Sequence, residues 1–200
     1  RSIKMDIQTI YQKTIKFATL KHLEKEQTIP GTKIPYVVHL SNVAMEILMA
    51  SQNSKNFNIL IAIQIALLHD TLEDTSATYE ELVDEFGSEV AKGVQALTKN
   101  DTLPKSEKML DSLNRTKQLP KEVWAVKLAD RITNLQTPPA HWNTEKKIEY
   151  VKEAEIISKL FTDPLSVLHP FTIFPMLGQL LLLVTLFQQK PSRVLTIISL

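Results

Sequence analysis

An all-α fold is predicted, a helical bundle with an apolar C-terminal helical tail, and three observations predict it. Only 4 glycines occur in 200 residues, which disfavours turn-rich β architectures. Apolar residues recur at helical spacing, as in Ile3, Ile7, Ile10, Tyr11, Ile15 and Ala18. Charge is also unevenly spread: beyond residue 160 only Asp163, Lys190 and Arg193 remain. Two units are therefore expected, a globular domain over residues 1–160 and an apolar tail over 161–200. Asp163-Pro164 and His169-Pro170 mark the break, because proline stops a helix and restrains the residue before it.

The elements follow in order. The first helix runs through Ile3–Ala18, and Thr28-Ile29-Pro30-Gly31 reads as a loop. Pro35 suits a first helical turn, and a second helix covers Val37–Ala50. Asn56 is read as the cap of a third helix, Phe57–His69. That helix is apolar on every side except at Gln64, so it belongs in the core. Thr78 is read as the cap of Tyr79–Phe86, Gly87 as its end, and Ser88 as the cap of the next helix. Pro104 and Pro120 each allow a new helix to begin, and Val123–Leu135 and Thr144–Leu160 complete the domain.

Composition excludes several functions. A net charge of +1 gives no global field toward nucleic acid, and no nucleic-acid partner is expected. The chain has no cysteine, which rules out disulfides, thiolate metal sites and a cysteine nucleophile, and suits a cytoplasmic catalytic domain.

The segment that carries chemistry is His69-Asp70-Thr71-Leu72-Glu73-Asp74, directly after the most apolar helix. A histidine and carboxylates at the end of a buried helix are costly unless something compensates them. A divalent cation does so, and imidazole with carboxylate suits Mn, Fe, Co, Ni or Zn. His39 and Asp130 lie on other helices with apolar faces and would complete a set of two His and two Asp. Taken singly, each residue has an ordinary reading. His39 suits a satisfied structural histidine, Glu73 and Asp74 solvated or capping acids, and Asp130-Arg131 a surface ion pair.

Three stretches, in this order, resemble one family. They are Pro35-Tyr36-Val37-Val38-His39, Ala66-Leu67-Leu68-His69-Asp70-Thr71-Leu72-Glu73-Asp74-Thr75, and Val126-Lys127-Leu128-Ala129-Asp130-Arg131-Ile132-Thr133-Asn134-Leu135. The chain resembles the HD superfamily of metal-dependent phosphohydrolases, in particular the hydrolase domain of RelA/SpoT-type alarmone enzymes and the stand-alone metazoan SpoT homologue. The resemblance implies an HD-domain helical bundle that binds one divalent metal, Mn2+, through His39, His69, Asp70 and Asp130. It implies that Glu73 and Asp74 handle the attacking water. It implies that Asn134, Thr137 and Tyr150 contact a phosphorylated nucleotide, a guanosine 3′-diphosphate 5′-(di/tri)phosphate cleaved at its 3′ position. Lys127 and Arg131 stand near enough in sequence to meet phosphoryl charge. Two features depart from the family pattern: the loop Glu24–Lys33 lacks its Arg-Lys pair, and Leu40 follows His39 in place of proline. Hydrolysis of another nucleotide (NADPH or a nucleoside monophosphate) and a non-catalytic nucleotide-sensing role are the alternatives.

Residues 164–189 contain no Asp, Glu, Lys or Arg. They are expected to associate with a membrane. The other reading is a buried or oligomer-forming helix, since Pro170 and Pro175 leave only about a dozen clean apolar residues, short for a bilayer core of roughly 30 Å.

Overall fold

A computed structural model of the chain describes residues 6–52, 56–136 and 141–162, together with Leu182. Among these residues the order is α1 (Ile7–Leu23), α2 (Val37–Ser51), α3 (Ile59–Leu68), α4 (Thr71–Asp74), α5 (Tyr79–Phe86), α6 (Ser88–Leu97), α7 (Lys105–Lys117), α8 (Lys121–Gln136) and α9 (Thr144–Thr162). The only β pairing among the described residues is an isolated antiparallel bridge from Thr28 to Pro35, which pinches the loop between α1 and α2.

The helix ends show how local chemistry sets the boundaries. Asp6 Oδ1 accepts from the Thr9 amide at 2.8 Å and starts α1. The cap of α3 is Asn58, whose side chain accepts from the Ile61 amide. Asn56, expected to be that cap, takes a φ of 54° instead; asparagine tolerates this left-handed conformation and turns the chain two residues earlier. Thr78 and Glu81 form a reciprocal capping box at the start of α5. Gly87 has φ 88° and ψ 159°, a region essentially reserved for glycine, so it both ends α5 and caps α6. The expected capping role of Ser88 therefore falls to Gly87. Pro104 and Pro120 stand immediately before α7 and α8, as expected.

α3 is the centre of the bundle. Ala62, Ile63, Ile65, Ala66, Leu67 and Leu68 are fully buried, and the helix packs against α1, α2, α6 and α8. These four helices bury α3 from Ala62 onward except at Gln64, while Ile59, Leu60 and Ile61 of its first turn stay half-buried. Gly93 of α6 lies tight against it. A Cβ there would stand 2.5 Å from Ile65 Cδ1, so the small residue lets the two helices approach.

The end of α3 places the site. His69 and Asp70 break the helix, and Thr71 begins the single turn of α4, which periodicity alone does not reveal. Thr71 is fully buried, yet its hydroxyl donates to Leu68 O at 2.7 Å and its own carbonyl accepts from Thr75 Oγ1 at 2.7 Å. The kink is thus hydrogen-bonded on both sides. Among the described residues no helix is long and apolar enough to cross a membrane. Apart from Leu182, residues 164–189 lie outside the described residues, so the membrane expectation rests on sequence.

Candidate metal centre and nucleotide pocket

Three helices and a kink bring the four expected metal ligands together. His39 comes from the first turn of α2, His69 and Asp70 from the α3–α4 junction, and Asp130 from the middle of α8. Ligand atoms of His39, His69 and Asp70 all lie within 4.8 Å of one another. His69 Nε2 is 3.0 Å from Asp70 Oδ2 and 3.7 Å from Asp130 Oδ1. His39 Nε2 is 3.4 Å from Asp130 Oδ1 and 3.9 Å from Asp70 Oδ2.

The hydrogen bonds around the cluster orient it. His69 Nδ1 stands 2.8 Å from Ala66 O, and a carbonyl only accepts, so Nδ1 carries the proton. The lone pair of Nε2 then faces two carboxylates, and this buried nitrogen has no hydrogen-bond partner. Tyr36 donates to Asp70 Oδ2, and Asn134 Nδ2 donates to Asp130 Oδ1 at 2.7 Å. Such outer contacts are what fix metal ligands in place.

Electrostatics lead to the same conclusion. Burial pushes His69 down, but Asp70 and Asp130 together, by charge and hydrogen bonding, outweigh it and hold the ring well above the ordinary histidine value. Burial would raise Asp130, yet its contacts with His39 and His69 keep it well below the carboxylate range. Asp70 is held low in the same way, chiefly by His69 acting against burial. The pocket therefore demands positive charge at the point where Nε2 and the carboxylates converge. A divalent cation supplies it, and the donor set fits one.

Glu73 and Asp74 flank the centre with different partners. Glu73 accepts from Lys99 Nζ at 2.7 Å and from the Lys99 amide at 3.1 Å, so both its oxygens are engaged. Asp74 is held through one oxygen, by Gln27 Nε2 at 2.9 Å. Partial loss of solvent, then the charge of Asp70, raises Asp74 above the ordinary carboxylate value.

Next to the cluster lies a cavity of about 360 Å³, lined by His69, Asp70, Glu73 and Asp130 on one side. Its other walls carry Lys99, Lys105, Lys108, Lys127, Arg131 and Lys146. Four of these cations are paired: Lys99 with Glu73, Lys108 with Asp101, Arg131 with Glu153 and Lys146 with Glu149. Lys105 and Lys127 have no ion-pair partner among the described residues, and burial lowers the Lys127 ammonium below its usual value. Tyr150 lines the cavity with its ring 4.1 Å from Trp142 and 4.3 Å from the Arg131 guanidinium.

The site residues expected from sequence are distributed as follows. His39, His69, Asp70 and Asp130 converge, with Glu73 and Asp74 beside them. Lys127, Arg131 and Tyr150 face the cavity. Asn134, expected to seat the nucleotide, is engaged with Asp130 instead. Thr137 lies outside the described residues. His22, whose neighbours in sequence are charged, is nonetheless 2% exposed and stacked on Tyr36 at 4.8 Å. Sequence reasoning missed Lys105, Lys108 and Lys146; the one signal was the Lys105/Lys108 pair at the start of a helix, where the two share a face.

Comparison with known proteins places the chain in a family. The family model described as HD domain matches residues 15–162. The zebrafish (Danio rerio) guanosine-3′,5′-bis(diphosphate) 3′-pyrophosphohydrolase MESH1 is 35% identical over 151 residues, 73% of this chain and 81% of that protein. The human (Homo sapiens) MESH1 is 32% identical over 148 residues, 72% of this chain and 79% of that protein. A solved structure described as a metazoan ortholog of SpoT that hydrolyses ppGpp superposes with a TM-score of 0.69 at 23% identity, covering 90% of this chain and 95% of that one, which supports the fold. The chain belongs to the HD-domain family and is a relative of the MESH1 proteins.

Proposed function

We propose that this chain is a metal-dependent phosphohydrolase of a phosphorylated nucleotide, acting as a guanosine 3′,5′-bis(diphosphate) 3′-pyrophosphohydrolase. The observation that carries the proposal is a cluster of two buried histidines and two half-buried aspartates beside a cavity with two lysines outside any ion pair described in the structure. The names of the MESH1 relatives support the substrate.

His39, His69, Asp70 and Asp130 would hold a divalent cation, proposed to be Mn2+, and such a cation would supply Lewis-acid chemistry, making a nearby water more acidic and polarising a phosphoryl oxygen. Asp74, with one oxygen free of hydrogen bonds, is assigned to take up a proton from the attacking water, and Glu73, fixed by Lys99, to orient it. Lys127 and Lys105 meet phosphoryl charge, and no ion pair described in the structure must break for them to do so. Tyr150, which lines the cavity with Trp142, Arg131 and Lys146 packed on its ring, is assigned to contact the nucleotide.

A panel of guanosine 3′,5′-bis(diphosphate), NADPH and a nucleoside monophosphate, offered to the Mn-loaded chain, tests this reading. Release of pyrophosphate from the first is expected. Turnover confined to the other two would overturn the substrate, and tight binding of all without turnover would make the chain a sensor.

We also propose that the hydrolase unit is residues 1–160 and that the uncharged stretch 164–189 is a separate, membrane-associating segment. The family match ending at Thr162, where α9 ends, supports the boundary. A chain ending at Thr162 is expected to keep its melting temperature and turnover, and to lose any partition into lipid vesicles. Unfolding of the shortened chain would show that the tail completes the domain.

A further inference from the structure

The loop between α1 and α2 lacks the basic pair of the family, and a neutral side chain reaches the site from it. Gln27 Nε2 donates to Asp74 Oδ2 at 2.9 Å, and Gln27 Oε1 lies 2.6 Å from His22 Nδ1. The direction of these two hydrogen bonds is determined at the carboxylate end. Asp74 is an acceptor, so the amide nitrogen must face it, and the amide oxygen must face His22. His22 Nδ1 therefore carries a proton and donates it to Gln27.

His22 is itself fixed. It is 2% exposed, its ring is stacked on Tyr36 at 4.8 Å, and Tyr36 in turn donates to the metal ligand Asp70. Its other nitrogen, Nε2, is buried and has no hydrogen-bond partner. A buried, half-satisfied histidine costs free energy, which the core does not require of this position. The Nδ1 contact to Gln27 gives that histidine a role. The backbone reinforces it: the Gln27 amide donates to His22 O at 3.1 Å, closing the turn that aims the side chain.

We propose that Gln27, held by His22, is a positioning residue that fixes the Asp74 carboxylate for the attacking water. The inference rests on the proposed role of Asp74. Glu73 needs no such device, because Lys99 occupies both its oxygens. Gln27 anchors Asp74 through Oδ2, and Oδ1 is the oxygen assigned to water. A neutral anchor also preserves the basicity of this carboxylate. An arginine or lysine in its place would form an ion pair and make Asp74 a weaker base.

The experiment uses the full, Mn-loaded chain with guanosine 3′,5′-bis(diphosphate). Gln27→Leu keeps much of the side-chain volume and removes both hydrogen bonds. His22→Phe keeps the ring stacked on Tyr36 and removes the donor. Each is expected to lower kcat about tenfold, the scale of a misplaced catalytic group, with KM changed less than about twofold and Mn stoichiometry unchanged. Adding Gln27→Leu to Asp74→Asn is expected to cost nothing further, because the two act as one unit. Wild-type kcat in Gln27→Leu, or a full additional loss on top of Asp74→Asn, would overturn the positioning role while leaving Asp74 in place. Wild-type kcat in Asp74→Asn would overturn the role of Asp74 itself, and the inference with it.

Discussion

His69→Ala is expected to abolish stoichiometric metal binding and to lower turnover on the order of a thousandfold, since a metal-activated water is worth several kcal/mol. Three features make this side chain more than one ligand among four. Its Nε2 stands within 3.7 Å of both carboxylates of the cluster. Its Nδ1–H is committed to Ala66 O, so the ring cannot flip without losing a buried hydrogen bond. Its position at the end of α3 ties it to the most buried helix of the bundle. Removing it leaves Asp70 and Asp130 with one imidazole between them. Equilibrium dialysis against Mn2+ is the direct measurement. Wild-type protein is expected to gain about 2.7 kcal/mol of stability at a hundredfold excess over Kd, and the variant none. Full-occupancy binding by His69→Ala would refute the centre.

Leu68→Ala is expected to cost about 2–5 kcal/mol, the range for truncating a buried leucine where the cavity cannot fully collapse. Leu68 is fully buried in α3, next to the kink that carries His69 and Asp70. At roughly 2–4 °C per kcal/mol for a domain of this size, the melting temperature falls by about 4–20 °C. Met49→Ala is the contrasting control: Met49 is 57% exposed on α2, and its truncation should shift stability by less than about 0.5 kcal/mol. Thermal unfolding of both variants by circular dichroism distinguishes the cases. Equal shifts would contradict the placement of α3 at the core.

Much of the architecture was already evident in the residue pattern because it depends on neighbours in sequence. The apolar run Ile59–Leu68 could only be a core helix, and the Thr78/Glu81 pair, Gly87, Pro104 and Pro120 punctuate helices by chemistry acting over three or four residues. Asn56 shows where such reasoning fails. A capping residue two positions from the true cap has the same composition signal, and only backbone conformation separates the two.

By itself the sequence determined the all-helical class, the four metal-ligand candidates and the two acids that follow them. Those residue types are costly inside an apolar domain unless a shared charge compensates them, which raised a metal site as one reading, and the resemblance to the HD superfamily singled it out. Tertiary structure decided everything that depends on distant residues meeting. It placed Lys99 against Glu73 and Gln27 against Asp74, 26 and 47 residues apart, and so gave two adjacent carboxylates different partners. It turned Asn134 toward Asp130, and it drew Lys105 and Lys108 of α7 to a cavity that His69, Asp70 and Asp130 also line. It buried His22, whose neighbours in sequence are charged, under Tyr36. A side chain's partner is set by how helices pack, and packing is a property of the whole core, which no local pattern contains.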